Sequence, residues 1–189
     1  MDPFDHIAIL VSIILGLGIT QLLSSFTDLL YDHRRVRFYW PQTAWVLFVL
    51  FLHVQDWFIT YQLRARTVWT MPDLFVVLSY PIGLFCVAKL LLPTRDAEER
   101  HDMRSYFRSQ FRTIGVLMLF CIAISVLFNL IYLEVSVLAQ LPLFVFFGIL
   151  FVPVVRGGCS ERGHQLLGWG LVIGSVVATL AAREEWAVR

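Results

Sequence analysis

Charge is scarce in this sequence, and lysine is scarcer still. Only 15% of the 189 residues are charged and 58% are hydrophobic, whereas a soluble domain averages roughly 25% charged residues. Lys89 is the sole lysine. This shortage excludes a water-facing surface over most of the chain. A net charge of +1 leaves no basic excess of the kind a nucleic-acid module needs. Cys86, Cys121 and Cys159 share no CxxC or other metal-ligand spacing and read as inert thiols rather than a disulfide framework. No HExxH, GxSxG or P-loop occurs, so no catalytic residues, metal or cofactor are expected. Haem would need two histidines at matched depth. His6, His33, His101 and His164 all fall at span ends or in loops, which leaves His53 alone. The start, Met1-Asp2-Pro3-Phe4-Asp5-His6, is acidic and lacks the basic region and cleavage site of a signal peptide.

What is present is a series of six apolar runs, near 6–31, 41–63, 72–92, 111–133, 137–155 and 164–183. Each is close to the roughly 20 residues that cross a bilayer core. The longest polar stretch, around Asp96–Arg112, is too short to form a soluble core of its own. The expected fold is therefore all-α: one integral membrane domain over residues 1–189, a polytopic bundle of six transmembrane helices. Local signals mark the helix ends. Asp2-Pro3-Phe4-Asp5 offers a cap and a first-turn proline, Thr70-Met71-Pro72-Asp73 a capping box, Pro41 a helix start and Pro93 a stop. Tyr39, Trp40, Trp69 and Trp186 fall at span ends, where amphipathic rings prefer the headgroup zone.

The loops after spans 1, 3 and 5 hold ten arginines: Arg34, Arg35, Arg37, Arg95, Arg100, Arg104, Arg108, Arg112, Arg156 and Arg162. The opposite side holds four, Arg64, Arg66, Arg183 and Arg189. The positive-inside bias then places these three loops in the cytoplasm and both termini outside. Three spans followed by three permit an inverted repeat, but no internal similarity supports one.

Two spans carry stripes of small residues. Ser12, Gly16, Thr20 and Ser24 recur every fourth position in span 1, and Gly170, Gly174, Ala178 and Ala182 do so in span 6. Such stripes let helix backbones approach in lipid, either within one chain or between copies in a homo-oligomer.

Span 2 carries the polar feature with most chemistry. His53 and Asp56 lie three apart at its centre and share a helical face. An aspartate in hydrocarbon costs roughly 2.5–3.5 kcal/mol on insertion scales and calls for a partner. At similar depth lie Gln21, Tyr80 and Pro81, the last freeing the carbonyl of Val77. His53, Asp56, Gln21, Tyr80 and Pro81 thus form a candidate midplane cluster for a proton or small ion. The structural reading of the same residues is a His–Asp hydrogen bond, or an Asp56 that reaches the outer interface with Trp57. Nearer the inner end, Asp28 and Lys89 are candidates for an ion pair, with snorkelling of Lys89 as the other outcome.

Before span 4, Arg100, Arg104, Arg108 and Arg112 recur every fourth residue, beside Met103, Phe107 and Phe111. This reads as a cytoplasmic helical extension of span 4, one helix of about 38 residues. Its arginines suit anionic lipid headgroups or a solvated face. A protein partner or a pore vestibule is the alternative.

The segments Gly16-Leu17-Gly18-Ile19-Thr20-Gln21-Leu22-Leu23, Val36-Arg37-Phe38-Tyr39-Trp40-Pro41, Leu52-His53-Val54-Gln55-Asp56-Trp57 and Asp102-Met103-Arg104-Ser105-Tyr106-Phe107 resemble those of a group of small bacterial multi-pass membrane proteins of unknown function. The likeness covers roughly the first 115 residues. It implies a bacterial inner membrane and brings no activity with it; that group is associated with an aromatic residue at the position of Asp56. Two functions are expected from different classes. One is permeation or transport of protons or small ions by a homo-oligomer, along His53 and Asp56. The other is an accessory or scaffold subunit that binds a partner through the arginine helix. An intramembrane enzyme on a lipid or quinone lacks a recognisable catalytic set.

Overall fold

The computed structural model describes residues 3–93 and 101–181. Its helices are α1 (Pro3–Tyr31), α2 (Trp40–Tyr61), α3 (Met71–Leu91), α4 (Met103–Ile131), α5 (Leu141–Val155) and α6 (Glu161–Ala181). Short 3-10 turns over Gln62–Ala65 and Val137–Gln140 extend α2 and precede α5. All six helical segments are long and apolar enough to cross a bilayer. Helices are the natural solution, because hydrocarbon offers backbone groups no outside partner. The six expected runs match these helices to within a few residues, apart from the start of α4.

The local signals act as their chemistry dictates. Thr70 Oγ1 accepts from the Asp73 backbone N–H while the Asp73 carboxylate accepts from the Thr70 N–H, a reciprocal capping box at the start of α3. Pro41 sits in the first turn of α2. At the end of α3, two of its last carbonyls find donors from other helices: Gln42 Nε2 to Leu91 O at 2.6 Å and Tyr106 OH to Leu90 O at 3.1 Å. Pro93 follows directly.

One expectation is corrected here. The arginine helix does not run for about 38 residues: α4 begins at Met103 and has 29 residues, about 43 Å. The Asp102 side chain accepts from the Arg104 N–H and caps it. His101–Asp102 instead form a two-residue parallel bridge (β2) with Val36–Arg37 (β1), which ties the α1–α2 loop to the segment before α4. The helical extension before span 4 survives as the first turns of α4. Tyr39, at the start of α2, is buried against the Phe107 ring at 6.0 Å.

In the bundle, α3 packs against α1, α2 and α4; α5 lies on α4, and α6 on α2. The main core gathers around Trp45, fully buried beside Phe48, Phe107 and Phe111. A second cluster, including Ile7, Val11, Leu15, Leu63 and Val77, fills the opposite end. There Arg66 pairs with Asp73 at 3.2 Å and lies over the rings of Trp69 and Tyr132, while Tyr132 OH donates to Asp73 at 2.8 Å. This knot closes the α2–α3 loop onto the end of α4.

Candidate functional site

The expected midplane cluster is divided between two faces of α2. His53 is fully buried and donates from Nδ1 to Val49 O at 2.7 Å, while its Nε2 has no hydrogen-bond partner. That atom abuts Gly18 of α1, where an added Cβ would come within 2.1 Å. Asp56 turns to other neighbours. It lies within electrostatic reach of Tyr80 on α3 and Cys121 on α4, and its Oδ2 is buried without a hydrogen-bond partner. No ion pair joins His53 to Asp56 among the described residues. Pro81 is buried within α3, which continues through it.

Gln21 belongs to a different pairing. Lys89 Nζ donates to Gln21 Oε1 at 3.4 Å, and Gln21 Nε2 donates to Ser25 Oγ at 2.9 Å. The expected Asp28–Lys89 ion pair is therefore not the one formed. Seven residues separate Gln21 from Asp28, about 10 Å along α1, so the ammonium meets the amide and not the carboxylate.

The described residues of neither small-residue stripe are fully buried within the chain, and Ala182 lies outside the described residues. Ser12, Gly16 and Thr20 are exposed on α1, and Gly170 and Gly174 are exposed on α6, with no atom within 4 Å of an added Cβ at Gly16, Gly170 or Gly174. Ala178 is half-buried. Of the arginines, Arg100 lies outside the described residues. Arg104 and Arg108 both reach one oxygen of Glu161, each at 2.7 Å, binding α4 to the start of α6. Arg112 is exposed.

A lateral cleft was not anticipated from the sequence. Between α5 and α6 lies a lateral cleft of about 1510 Å³, floored by Phe48, Phe51, Leu52 and Gln55 of α2. Its walls are apolar, with Phe146 and Ile149 on one side and Leu167 and Leu171 on the other. The open glycines Gly170 and Gly174 face this space. Along α6 it runs from Gly163 to Ala178, about 22 Å. The α5–α6 turn closes one end with polar groups: Arg156, Ser160 and His164, joined by Arg108 from α4.

At that end His164 is 1% exposed, set edge-on against Phe107 and Phe111 with ring centroids at 5.5 and 4.7 Å, and its Nδ1 has no hydrogen-bond partner. Burial pushes the Cys159 thiol above its ordinary value, while the Arg108 charge pulls it down. Just behind, the Tyr39 hydroxyl faces Glu161. Burial, reinforced by the Glu161 charge, pushes this phenol up to about 12. His164 reads from the sequence as a span-end residue. Only the packing of α6 onto α2, with α4 alongside, turns it inward. No group of three His, Cys, Asp or Glu poised to hold a metal ion occurs among the described residues. Comparison with family models, curated proteins and solved structures finds no match, so the cleft and its polar end carry the functional reading on their own.

Proposed function

We propose that this chain is a six-span membrane protein that holds a membrane amphiphile in the lateral cleft between α5 and α6. The observation that carries this reading is the cleft itself: about 1510 Å³, against roughly 300–1,000 Å³ for sites that take compact small molecules. Its apolar walls suit acyl chains. Its length of about 22 Å exceeds the ~15 Å of one leaflet of a ~30 Å core, which leaves room for a headgroup at the polar end. On the positive-inside bias that end faces the cytoplasm, with both termini outside, and the resemblance to small bacterial proteins favours an inner membrane.

The test is to measure lipid retained by the purified chain in mild detergent, comparing wild type with Gly174→Phe and Gly16→Phe. Both glycines have open space around an added Cβ, and only Gly174 lines the cleft. Gly174→Phe is expected to lose the retained lipid while Gly16→Phe keeps it. Equal retention in all three would remove the cleft as the binding place.

A second reading, passage of protons or small ions, is favoured by the buried, unpartnered Oδ2 of Asp56. In proteoliposomes, proton flux above that of empty liposomes should then vanish in Asp56→Asn. It should persist in His53→Leu, because His53 faces Gly18 rather than Asp56. Flux equal to that of empty liposomes would end this reading.

A further inference from the structure

The cleft has one chemically distinct end, and four independent features converge there. The first is charge. Arg104, Arg108 and Arg156 approach this end against one carboxylate, Glu161, which already accepts from two of them. That leaves a net positive site, with Arg156 exposed at its rim. The second is backbone. The 21-residue helix α6 starts here, and the first N–H groups of a helix lack internal acceptors. Ser160 Oγ accepts from the Gly163 N–H at 3.2 Å, which leaves other N–H groups of the first turn open to an anion.

The third feature is the turn before α6. Gly157 and Gly158 have φ of +77° and +147°, and no atom lies within 4 Å of an added Cβ at either. The chain therefore turns sharply and presents bare backbone to the cleft. The fourth points to a ligand most directly. His164 lines the cleft at 1% exposure, its ring held by Phe107 and Phe111, and its Nδ1 meets no protein partner. A buried polar atom without a partner carries a desolvation penalty that a ligand oxygen would relieve.

We propose that this end binds the phosphate of an anionic phospholipid, with Arg156, the first turn of α6 and His164 as its contacts. The inference rests on the cleft holding an amphiphile and adds the headgroup class. The phosphate sits at the α6 N-terminus with Arg156 over it, His164 Nδ1–H donates to one of its oxygens, and the acyl chains run along Leu167 and Phe146 toward Ala178. A phospholipid fits better than a free anion because the polar end opens directly into apolar walls, so the two parts of the ligand are bound together.

The experiment uses the full chain, stripped of lipid in detergent and titrated with phosphatidylglycerol or diacylglycerol of the same acyl composition, with inorganic phosphate as competitor. Native mass spectrometry reads the bound fraction. Wild type is expected to take phosphatidylglycerol about tenfold more tightly than diacylglycerol, the magnitude of a charge-assisted hydrogen bond. Arg156→Gln should reduce that preference without affecting diacylglycerol, and millimolar inorganic phosphate should leave the phospholipid bound. Equal affinity for the two lipids overturns the headgroup assignment and leaves the cleft reading intact. Displacement by inorganic phosphate overturns the choice of a lipid over a free anion. Binding of neither lipid, with no effect of Gly174→Phe, overturns the cleft reading and this inference with it.

Discussion

The imidazole Nε2 of His53 lies so close over Gly18 that a methyl group added there would come within 2.1 Å of it. In lipid, helices gain nothing from hiding apolar surface from one another, so such close steric matches hold them together. Gly18→Ala should therefore destabilise the bundle by about 1–3 kcal/mol, the usual cost of overpacking. This should occur although alanine favours a helix by roughly 1 kcal/mol over glycine. His53→Ala opens the space, so the double variant should lose less than the sum of the singles. Unfolding in mixed detergent and SDS measures this coupling. Additivity within about 0.5 kcal/mol would mean that the two residues do not press on each other.

Glu161 joins α6 to α4 by accepting from Arg104 and Arg108 through the same oxygen. Both arginines are substantially exposed, at 50% and 43%, so salt should screen the link. Glu161→Gln is expected to speed hydrogen exchange over residues 161–165 while leaving α1 and α3 unchanged. Half-molar salt should do the same to the wild type and add little to the variant. Arg104→Gln should have the smaller effect, because Arg108 still holds the carboxylate. If exchange at the start of α6 ignores both charge and salt, the ion pairs do not anchor it.

The helices were legible because length and apolarity suffice to define them, and the caps at Thr70–Asp73, Pro41 and Pro93 are local chemistry. Asp102 was harder to read as a cap: the arginine period continues across it, and the bridge to Val36 depends on the distant α1–α2 loop. The polar cluster was legible as a list and not as an arrangement. Spacing places His53 and Asp56 on nearby faces of α2, but which neighbour each one meets depends on how α1, α3 and α4 surround that helix. Lys89 shows the same limit, reaching Gln21 instead of Asp28 by a difference of two helical turns. The cleft was invisible for a further reason. It exists because α5 packs on α4 and α6 on α2, leaving a gap, and no residue of either helix announces a missing neighbour. The outward glycines Gly170 and Gly174 were its one trace in the sequence.

Two phenols give the fold a defined alkaline limit. Burial with Glu161 beside it raises Tyr39 to about 12, and burial with Asp73 beside it raises Tyr132 to about 12, each from an ordinary 10.0. Their folded values lie above their unfolded ones, so the unfolded chain gives up these protons first. The stability they contribute is fully present below pH 10 and is lost as pH rises toward 12. Thermal unfolding in detergent should show a steep fall over that window, flattened in Tyr39→Phe combined with Tyr132→Phe. An unchanged alkaline slope in the double variant would place the titration elsewhere.

Cys159 offers a reporter inside the polar end of the cleft, since it lines the cavity beside Ser160 and Arg108. Only the thiolate attacks a maleimide, and burial raises this thiol above its ordinary value of 9.0. In lipid-depleted protein at pH 7, alkylation of Cys159 should be slower than that of a free thiol and should accelerate as pH rises past 9. Added anionic phospholipid should slow it further by covering the turn, and Arg156→Gln should remove that protection. Peptide mass mapping separates Cys159 from half-buried Cys86 and from Cys121, which is buried against Gly83. If Cys159 reacts at one rate with and without phospholipid, while total lipid retention is high, the occupant lies among the apolar walls and its headgroup does not reach the α5–α6 turn.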